Sequence, residues 1–297
     1  MNALRIAASW GLASCLWALH FLPLGLLARV GRGVGSLLFR FGRQRRRIAQ
    51  INLELCFPEL SVEERDALVG EHFRLLGRSV IERGLFWWGS PERLDRLIRV
   101  RNFDRFEALM ASGRPIILLA PHFLGLDAGG VAVARRVDAV SFYATQSNPV
   151  FDRLLLRGRK RFGDQKLISR NDGTLATVRA LRSGRPFYYL PDLNARRRDA
   201  VFAPFFGIAA ATVSGLPRLA KMTGAVIMPC LTRMLPGGEG YEVSFEPPWD
   251  DYPGEDVAAD TARMNAWIET AVRAMPAQYY WVHRRFKTRP EGEPRFY

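Results

Sequence analysis

His122 and Asp127 are the residues of this chain whose types and spacing most directly suggest chemistry. They lie in Pro121-His-Phe-Leu-Gly-Leu-Asp127, directly after the apolar run Pro115-Ile-Ile-Leu-Leu-Ala120. An imidazole held by a carboxylate at one nitrogen keeps the other free to take a proton from a hydroxyl. On one continuous helix of about 3.6 residues per turn, positions five apart point roughly 140° away from each other. The pair therefore meets only if the histidine precedes the helix and turns back, a geometry that Gly125 allows. No Gly-x-Ser-x-Gly elbow is present, and no serine or cysteine adjoins the histidine. The expected nucleophile is the substrate's own hydroxyl, with no covalent acyl-enzyme. Amides at the start of the following helix would stabilise an oxyanion.

Other residues have both a chemical and a plainer reading. Arg157, Arg159, Lys160 and Arg161 form a dense cationic cluster. It is either a solvated helix face or a site for lipid phosphates or sugar acids, which arginine grips in bidentate fashion. Asp192 follows the apolar run Pro186-Phe-Tyr-Tyr-Leu190 and either orients Arg159 or a sugar, or simply caps a turn. Arg196–Arg198 suit an acidic protein or a membrane surface. Phe205-Phe206 read as core or as the lining of an acyl channel. His72 falls in an apolar helical stripe and reads as a packed histidine. His283, surrounded by Arg284, Arg285, Lys287 and Arg289, reads as structural or membrane-facing. Asp250-Asp251 read as a loop. Three scattered cysteines, with no Cys/His cluster, argue against a disulfide framework and against a structural metal site.

Strands and helices must position these groups, and they alternate along the chain. Ser61-Val-Glu-Glu64 is a capping box that opens a helix expected to reach about residue 86. Buried strands are expected at 115–120, 139–143, 186–190 and 225–231, with an antiparallel edge at 241–246. Helical patterns separate them at 125–136, 150–162, 173–183 and 214–223, and another closes the chain at 261–275. This is the pattern of an α/β fold with a mostly parallel central sheet flanked by helices. Ligands in such folds sit beyond the carboxyl ends of the strands, where both His122 and Asp192 fall.

The chain has 297 residues, 43 Lys+Arg against 29 Asp+Glu, and a net charge of +14, which points to an anionic partner. Ile6 to Ala28 contains no charged residue and is long enough to span a ~30 Å hydrocarbon core or to lie in the interface. Seven arginines and no acid follow between Arg29 and Arg47, which by the positive-inside rule keeps the remainder cytoplasmic. The expected organisation is an N-terminal membrane-anchoring helix over 1–30 and an α/β domain over 31–297. Gly31-x-Gly33-x-Gly35 lacks the strand–helix setting of a nucleotide fingerprint and reads as a flexible or close-packed stretch. No nucleic-acid-binding motif is visible.

His122-Phe-Leu-Gly-Leu-Asp127 resembles the His-x4-Asp/Glu motif of the lysophospholipid acyltransferase superfamily. The chain is similar, more narrowly, to the late acyltransferases of lipid A biosynthesis. The likeness extends through Asn52-Leu-Glu-Leu-Cys-Phe-Pro58, Asn148-Pro149, Arg157-Gly-Arg-Lys-Arg-Phe-Gly163, Leu190-Pro-Asp192, Phe202-Ala-Pro-Phe-Phe-Gly207 and Trp281-Val-His-Arg-Arg-Phe-Lys-Thr-Arg-Pro290. It implies transfer of a fatty acyl chain from acyl carrier protein, a co-substrate with no further cofactor, to a hydroxyl of a Kdo2-lipid IVA-type precursor. It implies an enzyme at the cytoplasmic face of the bacterial inner membrane. His122 maps to the family base and Asp127 to its partner, where many members carry Glu. Asn148, Arg157, Arg159, Arg161 and Asp192 map to substrate-binding positions. Acylation of a lysophospholipid or another membrane lipid is the enzymatic alternative, though the Phe-Pro-Glu-Gly block of glycerolipid enzymes is replaced by Leu190-Pro-Asp192. A non-catalytic protein holding anionic lipid at the membrane is the other alternative.

Overall fold

The computed structural model describes residues 3–169 and 173–297. Four helices come first: α1 (Ala3–Leu19), α2 (Leu24–Phe41), α3 (Arg43–Cys56) and α4 (Val62–Ile81). Short helices α5 (Arg83–Trp88) and α6 (Pro91–Leu97) lead to β1 (Ile98–Arg101), α7 (Phe103–Ala111) and β2 (Ile116–Leu119). Then come α8 (Leu126–Ala134), β3 (Val140–Tyr143), α9 (Pro149–Arg159), β4 (Lys166–Ser169), α10 (Gly173–Arg182) and β5 (Phe187–Tyr189). The chain closes with β6 (Ala200–Phe205), β7 (Ile208–Val213), α11 (Gly215–Thr223), β8 (Val226–Met234), β9 (Tyr241–Phe245) and α12 (Val257–Ala274).

Seven strands form one sheet in the order β1-β9-β8-β2-β5-β3-β4, parallel throughout except for the β8–β9 pair. The expected mostly parallel α/β sheet is therefore present. All four residues of β2 are buried, as its unbroken apolar run requires of a strand covered on both faces. Ile117 and Leu119 enter one core cluster with Phe187 and Tyr189, while Ile116 and Leu118 enter the other with Tyr188 and Met228. Two details differ from expectation. β9 is antiparallel to β8 but is not an edge, because β1 pairs outside it. The sequence signals no strand at 200–213, yet β6 and β7 form a separate antiparallel hairpin.

The apolar stretch at 6–28 is not a single helix. α1 stops at Leu19 and α2 starts at Leu24, on either side of Pro23, whose missing amide and restricted neighbour end one helix and begin the next. No helix among the described residues is long and apolar enough to cross a membrane, which corrects the expected transmembrane helix. What remains is two helices and the turn between them, which expose Leu4, Trp10, Trp17, Phe21, Leu37 and Phe41. α2 runs on past residue 30 and crosses α4 with no room for side chains. A Cβ on Gly35 would lie 2.2 Å from the Phe73 carbonyl oxygen, and one on Gly77 would lie 2.2 Å from that of Gly31. Gly31 and Gly35 are thus close-packed, whereas a Cβ on Gly33 would meet nothing within 4 Å.

The Ser61–Glu64 capping box forms as expected, with Glu64 N–H donating to Ser61 Oγ at 3.1 Å and Ser61 N–H to Glu64 Oε2 at 2.7 Å. Its helix ends at Ile81 rather than near 86. Glu82 breaks it and turns inward to meet Arg78, Nε to Oε1 at 2.7 Å, with both side chains buried.

His72, fully buried on α4, donates from Nδ1 to the Ala277 carbonyl at 3.0 Å and leaves Nε2 without a partner among the described residues. Burial lowers its pKa to about 4, against a smaller upward pull from the Ala277 bond. Between pH 6.5 and 4 the unfolded chain then holds a proton at this residue that the folded chain does not. Stability from this site is complete above pH 6.5 and declines toward pH 4 by on the order of 3 kcal/mol. Denaturant titrations across this range are expected to show a shallower decline for His72→Gln than for wild type. An identical decline would mean that His72 titrates normally.

Candidate active site

The geometry of the candidate site follows from strand register. β2 and β5 are parallel neighbours with Leu119 opposite Tyr189, and Ala120 N–H continues the ladder to the Tyr189 carbonyl at 2.9 Å. His122 and Asp192 each lie three residues beyond that matched pair, so the two loops deliver them to the same place. His122 Nδ1 lies 2.6 Å from Asp192 Oδ1, and the His122 backbone N–H donates to Asp192 Oδ2 at 2.9 Å. One carboxylate therefore fixes both the ring and the backbone of the histidine. With Nδ1–H directed at a carboxylate, the lone pair lies on Nε2, which makes no hydrogen bond among the described residues. The histidine side chain is 18 % exposed and the aspartate 1 %. Burial pushes the Asp192 pKa upward, but the His122 charge and the His122 ring and backbone hydrogen bonds together outweigh it, so the net shift is down and the carboxylate stays ionised.

The sequence places Asp127 on His122. In the structure the carboxylate there belongs to Asp192. Asp127 sits in the first turn of α8 and pairs with Arg83 Nε at 2.9 Å. The physical reason is the sheet: a residue three positions past a neighbouring strand is nearer than one turned away on the following helix. Arg83, on α5, had no signal in the sequence.

A C-terminal segment braces both loops. Tyr280 N–H donates to the His122 carbonyl at 3.1 Å, Leu124 N–H to that of Gln278 at 2.8 Å, and Phe123 bridges Tyr279. Asn194 N–H donates to His283 Nε2 at 3.1 Å, and the Asn194 side chain exchanges hydrogen bonds with Thr288. That bond needs a neutral imidazole, and burial together with Arg285 lowers the His283 pKa to about 4. Neither Asn194 nor Gln278 stood out in the sequence.

The remaining candidates are placed as follows. Arg159 donates to the Phe142 carbonyl at 3.1 Å and lines a cavity that Asp127 also lines. Arg161 is committed to backbone, donating to the Phe86 and Gly89 carbonyls at 3.1 and 2.7 Å beside the end of α5. Arg157 is exposed in the last turn of α9. Asn148 caps α9 through Oδ1 to Val150 N–H at 3.0 Å and donates to Ser9 Oγ on α1 at 2.8 Å. Phe205 and Phe206 belong to the main core.

The cavity holds about 770 Å³ of empty space, its open mouth included. It runs between α8, α9 and the face of β3 and β5. Leu126, Asp127 and Leu190 stand at the carboxyl end of the sheet, beside the loops that carry His122 and Asp192. The walls are mainly apolar, including Phe86, Trp87, Val131 and Phe162. A histidine held by an ionised carboxylate beside a mainly apolar slot suits deprotonation of a hydroxyl next to a long hydrocarbon.

The sequence pattern of the bacterial lipid A biosynthesis acyltransferases matches residues 1–288. The lipid A biosynthesis lauroyltransferase of Escherichia coli K12 is 36% identical over 294 residues, covering 99% of this chain and 95% of that protein. The palmitoleoyltransferase of the same organism is 32% identical with the same coverage. A lipid A biosynthesis acyltransferase of Haemophilus influenzae is 33% identical over 274 residues, 91% of this chain and 87% of that one.

Proposed function

This chain belongs to the bacterial lipid A biosynthesis acyltransferases, and from that premise we propose that it moves a fatty acyl chain from acyl carrier protein to a hydroxyl of a Kdo2-lipid IVA-type precursor, with His122 as general base and Asp192 as its orienting carboxylate. The observation that carries this reading is the 2.6 Å His122–Asp192 contact, on loops whose neighbouring residues Leu126 and Leu190 line a mainly apolar slot.

The acceptor hydroxyl gives its proton to His122 Nε2 as its oxygen attacks the thioester carbonyl. The Asp192 charge stabilises the imidazolium that forms. The tetrahedral oxyanion then collapses, the C–S bond breaks, and the leaving thiolate recovers the proton from His122. No acyl-enzyme forms, because the attacking oxygen is the substrate's own. The slot holds the donor's hydrocarbon out of water, which protects the thioester from hydrolysis. The Arg83–Asp127 pair and Arg159 frame the polar end of the slot, where acceptor phosphates or sugar groups meet guanidinium donors.

The exposed apolar faces of α1 and α2, followed by Arg40, Arg43 and Arg47, suit a pair of helices lying in the cytoplasmic leaflet of the inner membrane rather than one crossing it. An anionic glycolipid would reach the site laterally from that leaflet. The exposed arginines also suit docking of a small acidic carrier.

The test is to mix the detergent-purified protein with acyl carrier protein loaded with a saturated chain series and a tetra-acylated lipid A precursor, then weigh the products. One added acyl mass is expected, absent with His122→Ala of unchanged fold. Acylation of a lysophospholipid in a parallel tube, with none of the glycolipid, would overturn the acceptor. Near wild-type turnover in His122→Ala would overturn the mechanism.

A further inference from the structure

Away from Asp127 and Arg159, the mainly apolar lining of the slot includes one buried amide. Gln165, 9 % exposed, lies just before β4, at the amino end of the sheet and opposite the dyad. Its amide is fully engaged. Nε2 donates to the Val137 and Ala134 carbonyls at 3.0 and 3.3 Å, and Oε1 accepts from Ala139 N–H at 3.1 Å. An amide locked by three backbone bonds neither swings aside nor welcomes a methyl group pressed further against it. From Asp127 to Ala134 beside this amide, α8 advances about 10 Å at its usual rise of ~1.5 Å per residue.

Halfway along that helix, Gly130 lines the slot, and a Cβ built there meets nothing within 4 Å. The other glycines near this wall are already pressed by neighbours. A Cβ on Gly158 would lie 2.4 Å from Trp87, and one on Gly129 would lie 2.3 Å from Thr232 Oγ1. A side chain at Gly130 is therefore accommodated by the fold and projects into the empty space.

We propose that this slot measures the acyl chain, with Gly130 holding its middle open and the Gln165 amide forming its end stop. The inference rests on the acyl-transfer reading above and assigns specificity-determining residues to it. The bound hydrocarbon is a straight chain that passes Gly130 and ends against Gln165. Chains that overrun the stop fail to bring their thioester to His122, and shorter ones leave apolar surface unfilled.

The experiment measures kcat/KM for the acyl carrier protein series with wild type, Gly130→Ala and Gly130→Leu. Gly130→Leu is expected to move the preferred chain to a shorter member and to lower kcat/KM for the wild-type optimum by at least about tenfold, the lower bound for one methylene that no longer fits. Gly130→Ala adds one methyl and favours the helix, so it folds at least as well as wild type and shifts the profile in the same direction by less. An unchanged chain-length profile in two active variants would overturn the slot as the measure, leaving the acyl-transfer reading intact. Wild type that transfers no member of the series would instead overturn that reading.

Discussion

Asp192→Asn is expected to reduce acyl transfer by about 10²- to 10⁴-fold, the usual worth of a positioned general base. The substitution is nearly isosteric, so the loop and its Asn194–Thr288 bracing should survive. What disappears is the negative charge held 2.6 Å from Nδ1. The neutral amide either presents its NH2 to the ring, reversing the tautomer and placing a proton on Nε2, or accepts from Nδ1–H without stabilising the imidazolium. In both cases the loss lies in kcat, with KM for either substrate little changed. Asp127→Asn provides the contrast. It frees Arg83 from its partner beside a residue that lines the slot, so its effect should fall on KM, with kcat reduced far less than in Asp192→Asn. If Asp127→Asn lowers kcat and Asp192→Asn leaves it in place, the roles of the two carboxylates are exchanged.

Glu82→Ala is expected to destabilise the fold by about 3–5 kcal/mol, the cost of leaving a buried charge without its partner. The Arg78 and Glu82 side chains are 2 % and 0 % exposed. Arg78 also donates to the Leu235 carbonyl at 3.0 Å, and Tyr241 donates its hydroxyl to Glu82 Oε2. Truncation therefore strands a guanidinium and a phenol together at the junction of α4 and α5. The double variant Arg78→Met/Glu82→Leu removes both charges and should recover much of the loss. Denaturant midpoints of the three proteins check this, and a single variant as stable as wild type would show that the pair is balanced by other contacts.

The parts of this molecule that could be read in the sequence are those encoded locally. The capping box at Ser61, the doubly buried run at 116–119 and the alternation of strands with helices each follow from neighbouring residues. His122 was legible for the same reason, because it stands immediately beyond a recognisable buried strand. Its partner was not, because the spacing of a dyad along the chain says nothing about strand order. Asp192 becomes adjacent only once β5 is known to pair with β2 in the register Leu119–Tyr189. Both strand ends were visible, but their adjacency was not. The hairpin at 200–213 was missed because Ala-rich β7 carries weak strand preference and β6 contains Pro204. Pro23 lies within the uncharged run 6–28, yet only the folded chain shows that it divides that run into two helices. Arg83, Gly130 and Gln165 owe their positions to the space between α8 and α9, which no local pattern describes.

The matched register of β2 and β5 also bears on when this protein acquires activity during its own synthesis. Asp192 follows His122 by 70 residues, several seconds of translation at roughly 5–20 residues per second. A one-residue slip between the strands would move the carboxylate by about 3.3 Å and turn it toward the opposite face. An incomplete or mispaired chain therefore has a histidine but no oriented base. With His122 as the base proposed above, chemical competence arrives only when the central sheet closes in its single correct alignment.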